Sequence, residues 1–273
     1  MAHGQANYKN HWKLPAGACK RSKVMDIMKA ECERLKALYP YRIDMHVHNF
    51  DCTPEEQVRY YKEKGLDAFV MTNHFTGLFW RERETPYTDK ERHVEWYLSN
   101  YRRAKAEGEN VGVKVYLGME VTFNNHGGED FLVYGIEELD VYKTFDILDH
   151  YEKEDTGYLA DLYKLVKNDK SLIVRAHPFR LPELPIGDLK YLDGIEVLNL
   201  SSFSSSDAAM KFARDNNITL LTAGSDCHRP EKNFAHPSIR VKKLPEDSFG
   251  VAEILKSGDY LLDADGFILL SNI

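Results

Sequence analysis

The chain has 273 residues, 43% hydrophobic and 29% charged, which is ample for a core and suits one large domain of the length α/β barrels commonly fill. Its formal net charge of −7 argues against broad nucleic-acid or anionic-membrane binding, which needs a basic surface, though not against a small basic pocket. Four scattered cysteines without a CxxC pair argue against a secreted disulfide framework and make reduced, cytoplasmic thiols the expectation. The polar segment Met1–Cys19 carries no apolar signal core, and no run approaches ~20 apolar residues, so no membrane span is expected.

Residues 1–20 read as irregular. Ser22–Leu38 then places Val24, Ile27, Met28, Leu35 and Leu38 at helical spacing, with Pro40 as a stop. This predicts a helical N-terminal extension over residues 1–40, covering one end of a main domain over 41–273. Tyr41–Val47 reads as the first strand. Thr53-Pro54-Glu55-Glu56 is a capping box with proline at the first helical position, and Gly65 suits the helix end. Leu66–Thr72 is the second strand, which completes a βαβ unit and implies parallel pairing. A long insert, Phe75–Thr88, precedes a helix over about 89–106. Strands follow near Val113–Val121 and Phe131–Ile136. Leu159, Leu162, Tyr163 and Val166 mark another helix. Strands at Leu172–Ala176 and Ile195–Leu198, a helix near Ala208–Arg214 and a strand at Ile218–Thr222 complete seven candidate strands. A tail (Ile239–Val241, a helix near Ser248–Lys256, Tyr260–Leu262) is expected to close the fold.

Metal-ligand residue types recur at or just after the strand ends. They are Asp44-Met45-His46-Val47-His48, Thr72-Asn73-His74, Gly118-Met119-Glu120, Ala176-His177-Pro178 and Gly224-Ser225-Asp226-Cys227-His228. Residues i and i+2 of a strand share a face, so His46 and His48 can hold one cation together. Each cluster alone has a bland reading: a chance pair, a polar strand end, a solvent-facing Glu, a helix cap. Five in order do not. Ligands at the ends of five strands favour a closed barrel, whose loops ring one site, over an open sheet with a single switch point. Proline after His177 is expected to push that residue to extended backbone. Mixed imidazole and carboxylate ligands suit Zn²⁺, Mn²⁺ or Fe²⁺ rather than a Ca²⁺ cage.

The ordered set DxHxH, TxH, GxE, AHP and GSDxH, spanning about residues 41–230, resembles the PHP family, named for polymerase and histidinol phosphatase. The resemblance implies an α/β fold of the distorted (βα)7 TIM-like barrel type, with two or three divalent metal ions that hydrolyse phosphoesters. His46, His48, Glu120 and Asp226 would then hold one metal, with Glu120 bridging to a second at His177 and His74 and His228 holding a third. Two positions depart from the family pattern. Asp51 stands in the short loop after the HxH, where a longer loop usually supplies a ligand. Asp130 stands where a His is common, with His126 as a nearby competitor. Asn73 replaces a commoner Asp.

Such a centre would turn a water shared by two close cations into a nucleophile for a small phosphomonoester. His228 or His126 are candidates to protonate the leaving alkoxide. Arg180 is the expected partner of the substrate phosphate, with Arg175, on the other side of His177, and Arg229, after His228, as further candidates. The insert, with Phe79, Trp80, Arg81 and Arg83, could shape specificity or pack over the barrel end. Cys227 is expected to be buried. The alternatives are a phosphodiesterase or exonuclease on short oligonucleotides, a PHP domain that has lost a metal and catalysis, and an amidohydrolase-type barrel. Partners are expected to be small phosphorylated molecules, with no extended nucleic acid and no membrane.

Overall fold

A computed structural model describes residues 18–49, 52–75, 90–122, 129–147, 157–181, 186–200, 205–230 and 235–269. The chain divides into two units, one ending at Leu38 and one beginning at Tyr39. In the first, helix α1 (Ala18–Leu38) starts a turn earlier than its apolar spacing predicts. Among the described residues no helix is long and apolar enough to cross a membrane.

The second unit is mixed α/β. Strand β1 (Tyr41–Val47) leads to α2 (Pro54–Glu63). Thr53 Oγ1 accepts from the Glu56 amide at 3.2 Å, and the Glu56 carboxylate accepts from the Thr53 amide at 2.8 Å, so the predicted capping box forms. Next come β2 (Ala68–Met71), β3 (His74–Phe75) and α3 (Lys90–Val111). The expected strand at 113–121 is two pieces, β4 (Lys114–Leu117) and β5 (Met119–Thr122), broken at Gly118. A side chain at Gly118 would sit 2.8 Å from Val70 Cγ1, so only glycine lets the strands approach there. Strand β6 (Asp130–Tyr134) is followed by α4 (Glu138–Phe145), a helix not expected from the sequence pattern, and by α5 (Tyr158–Val166). Then come β7 (Leu172–Arg175), a 3₁₀ turn (Leu189–Tyr191), β8 (Gly194–Asn199), α6 (Ser206–Asp215) and β9 (Leu221–Gly224). Strand β9 begins at Leu221, three residues later than expected, after Asn217, at φ +56°, has turned the chain out of α6. The tail forms β10 (Ser238–Val241), α7 (Ser248–Ser257), β11 (Leu261–Ala264) and β12 (Phe267–Leu269).

The strands form two six-stranded sheets, ordered β12-β11-β10-β1-β2-β4 and β3-β5-β6-β7-β8-β9. The chain steps from the first to the second between β2 and β3 and again at Gly118. Pairing is parallel for β1–β2, β2–β4, β3–β5, β7–β8 and β8–β9. Strand β6 departs from the parallel expectation and runs antiparallel to both β5 and β7. The link from Thr122 to Asp130 is too short for a crossover. A parallel bridge, Val47 to Cys227, joins the end of β1 to the loop after β9, with His48 N donating to Cys227 O at 2.9 Å.

Alternation along the strands feeds two apolar clusters. Ala68 and Val70 of β2 join Ile43, Leu132 and Val174, while Phe69 and Met71 join Val58 and Tyr97 of the covering helices. Strands covered on both faces need continuous apolar runs, which is why these segments read Ala-Phe-Val-Met and Leu-Ile-Val.

Candidate metal centre

Residues on or just after β1, β3, β5, β7 and β9 converge with the first residue of β6. His46 lies near the end of β1 and His48 just after it; both are fully buried, alternating with Met45 and Val47. His74, on β3, pairs in register with Glu120 on β5, and its Nδ1 lies 2.5 Å from Glu120 Oε2. His177 follows β7, and Asp226 and His228 follow β9. Asp130 is the first residue of β6. Because β6 runs against its neighbours, its beginning lies at the edge where they end, and Asp130 Oδ2 sits 3.6 Å from His177 Nε2.

Glu120 is the hub. Its Oε1 is 3.1 Å from both His46 Nε2 and His177 Nε2, and its Oε2 is 3.5 Å from His48 Nε2. Asp226 Oδ1 lies 3.1 Å from His48 Nε2 and 3.6 Å from His46 Nε2. The His48 ring stacks between His74 and His228, with centroids at 4.3 and 4.2 Å. Four overlapping groups each bring ligand atoms within 4.8 Å of one another: His46–His48–Glu120, His46–His177–Asp226, Glu120–Asp130–His177 and His48–His74–His228. Nitrogen and oxygen ligands about 2.1 Å from one tetrahedral cation stand about 3.4 Å apart, close to the spacings found. His46 Nε2 and Glu120 Oε2 are buried without a partner in hydrogen-bond geometry and face only other candidate ligand atoms, a costly state for polar atoms unless a cation satisfies them. The residues present therefore fit divalent metal ions.

Electrostatics agree. Burial works against charging Glu120, but His46 and His74 overcome it and hold the carboxyl well below its usual range. Asp226 is likewise lowered against its burial, through His46 and His48. Burial, reinforced by His74 and His228, pushes His48 well below the usual imidazole range, which leaves its lone pair available. Burial would lower His46 too, but Glu196, Glu120 and Asp226 together raise it well above that range.

The motif residues outside the candidate ligand groups fix those within them. Asp44 Oδ1 accepts from the amides of His46 (3.1 Å) and Ser225 (2.9 Å), and its Oδ2 accepts from Tyr61 Oη (2.9 Å). One carboxylate thus ties β1, α2 and the loop after β9. Gly224 passes so close to β1 that a side chain would lie 2.6 Å from His46 N and closer still to His46 Cβ. Asn73 accepts from the Asn49 amide at 2.9 Å and shapes the loop after the HxH. His177 is not extended as its proline neighbour suggests. It has φ +25°, held by its amide donating to Glu196 Oε2 at 2.9 Å. Asp226, at φ +53°, is held the same way by His46 O at 2.8 Å.

Glu196, on β8, was not singled out from the sequence. It is buried, 3.1 Å from His46 Nδ1, and accepts from Asn199 Nδ2 at 2.9 Å. The available signal was a lone carboxylate inside an otherwise apolar strand.

Asp51 and His126 lie outside the described residues, as does the insert beyond Phe75. Arg180 is part-exposed and donates to Asp130 Oδ2 at 3.2 Å. Arg175 is buried, donates to Asp130 O at 2.7 Å and lies over the Phe131 ring. Arg229 is exposed beside His228. Cys227 is buried, as expected, and burial pushes its thiol up to about 12.

No protein-family model matches the chain, and no curated protein matches it. Among solved structures, an amidohydrolase from Chromobacterium violaceum with bound sulfate and no metal is 15% identical over 82% of this chain and 98% of that one, at a TM-score of 0.45. A two-domain protein from Bacteroides vulgatus containing a predicted PHP-like metal-dependent phosphoesterase is 17% identical, with a TM-score of 0.57 over 84% of this chain. This chain spans 66% of that protein's length. The second likeness shows a shared fold.

Proposed function

We propose that this chain is a metal-dependent phosphoric ester hydrolase acting on a small phosphomonoester, at a centre of two or three Zn²⁺, Mn²⁺ or Fe²⁺ ions within a distorted seven-stranded barrel. One observation carries the reading: a single buried carboxylate, Glu120, stands within 3.5 Å of four imidazoles. The β1–Cys227 bridge supports the closed arrangement.

His46, His48, Glu120 and Asp226 would hold one ion, Glu120, His177 and Asp130 a second, and His74 and His228, with Asp51, a third. Bound divalent ions supply Lewis acidity and an activated water. The chain does the rest. Arg180 is anchored by Asp130 through one guanidinium nitrogen, which leaves its remaining donors for a phosphate oxygen. Arg229 is the second candidate for that role. Arg175, being buried, acts through Asp130 by fixing its backbone. In a two-ion centre His228, with a side chain 39% exposed, is the candidate to hand a proton to the leaving alkoxide, and His126 is the alternative.

The test is phosphate release from a panel of small phosphomonoesters and dinucleotides, with added Mn²⁺, Zn²⁺ or Fe²⁺ and a chelator control. The reading expects chelator-sensitive release from monoesters, abolished in His46→Ala. Release from dinucleotides alone would replace it with a phosphodiesterase. Silence across the panel would overturn it.

A further inference from the structure

We propose that Glu196 is a positioning residue that fixes His46 in its Nδ1–H tautomer and holds His177 in its left-handed backbone, so that one carboxylate aligns ligands of neighbouring cation positions. The inference rests on the metal-centre reading above.

A carboxylate only accepts hydrogen bonds, so the 3.1 Å contact with Glu196 places the hydrogen of neutral His46 on Nδ1. The lone pair is then on Nε2, the nitrogen facing Glu120 and Asp226. Glu196 Oε2 meanwhile accepts from the His177 amide and from Asn199, both at 2.9 Å. His177 carries a side chain at φ +25°, a conformation that persists only where its surroundings enforce it. Glu196 does this from a fully buried strand, is 1% exposed, and belongs to none of the four ligand groups. His46 and His177 belong together in one ligand group and separately in two others, so a shift at Glu196 would be felt at more than one position.

Glutamine at 196 has nearly the same shape but accepts at only one end. If its oxygen stays on the His177 amide, its NH₂ faces His46 Nδ1. That nitrogen must then accept, and the hydrogen moves to Nε2, where it blocks the ligand position. In the reverse orientation, two donors meet at His177. Either outcome spoils alignment without removing a ligand.

The experiment compares wild-type, Glu196→Gln and His46→Ala proteins by zinc titration calorimetry, and by ¹⁵N NMR of the histidine rings in the zinc-loaded state. The expected results are an Nδ1–H signature for His46 in the wild type, its loss in Glu196→Gln, and zinc binding about 10- to 100-fold weaker in that variant. A merely structural role would lower the unfolding midpoint and leave the tautomer unchanged. Wild-type zinc affinity together with an intact Nδ1–H signal in Glu196→Gln would overturn the inference alone. A wild type that binds no zinc would overturn the metal reading and this inference with it. Should Glu196→Gln fail to fold, the wild-type spectrum decides: zinc on Nδ1 of His46, or a hydrogen on Nε2, refutes the assignment.

Discussion

Replacing Gly224 by alanine tests the packing that places His46. A Cβ there would lie 2.6 Å from His46 N and 3.0 Å from Glu196 Oε1, against ordinary contacts of about 3.5–4 Å. Something must move by about 1 Å, and the neighbours are backbone and the first Cβ of a metal-ligand candidate, not the end of a flexible chain. Overpacking of this kind costs roughly 1–3 kcal/mol. It also displaces His46 from Glu120, so zinc affinity should fall with stability. Gly258→Ala is the control. It sits at φ +67° with no atom within 4 Å of a new Cβ, so it carries only a backbone cost of about 1 kcal/mol and no metal effect. Urea denaturation of the metal-free proteins and zinc titration of the folded ones give both numbers. Gly224→Ala no less stable than Gly258→Ala, with wild-type zinc affinity, would refute the reasoning.

Three further outcomes follow from the same geometry. Asp44→Ala strips the acceptor from two buried amides and the Tyr61 hydroxyl and should destabilise by about 3 kcal/mol or more, whereas Asp44→Asn keeps one oxygen and should cost about 1 kcal/mol; equal unfolding midpoints for the two would contradict this. Zinc at 100 times its dissociation constant should raise unfolding free energy by about 2.7 kcal/mol. That gain should vanish with chelator and as pH falls and imidazoles protonate; a midpoint insensitive to both would be the contrary result. Arg180→Ala should lower kcat/KM for a phosphomonoester about 10- to 100-fold with little change in metal content, and an unchanged kcat/KM would remove Arg180 from the substrate site.

The elements that position the site were legible where local chemistry decides them. The Thr53 capping box and the apolar runs of β1, β2 and β7 depend on near neighbours, and their sequence readings match the structure. What could not be read locally depends on partners distant in sequence. The reversal of β6 follows from its short link to β5, yet its consequence, bringing Asp130 to the edge where the parallel strands end, emerges only in three dimensions. Proline after His177 argues for extended backbone, and a hydrogen bond to Glu196, nineteen residues on, overrides it. Glu196 was hidden because it belongs to none of the ligand clusters and one of its contacts to them is with His46, 150 residues away. The glycines of the GxE and GSDxH segments have a packing reason that no pattern of ligands reveals: β2 crowds one and His46 the other.

The most direct test counts metal. Purified protein, stripped and reloaded with Zn²⁺ or Mn²⁺, is analysed by elemental analysis and native mass spectrometry beside Glu120→Gln. The account predicts two or three ions per wild-type chain and at most one in the variant, because three of the imidazoles around Glu120 share its two oxygens at 3.1 Å or less. A wild type that retains no stoichiometric metal, or a Glu120→Gln protein that retains the full complement, would contradict it.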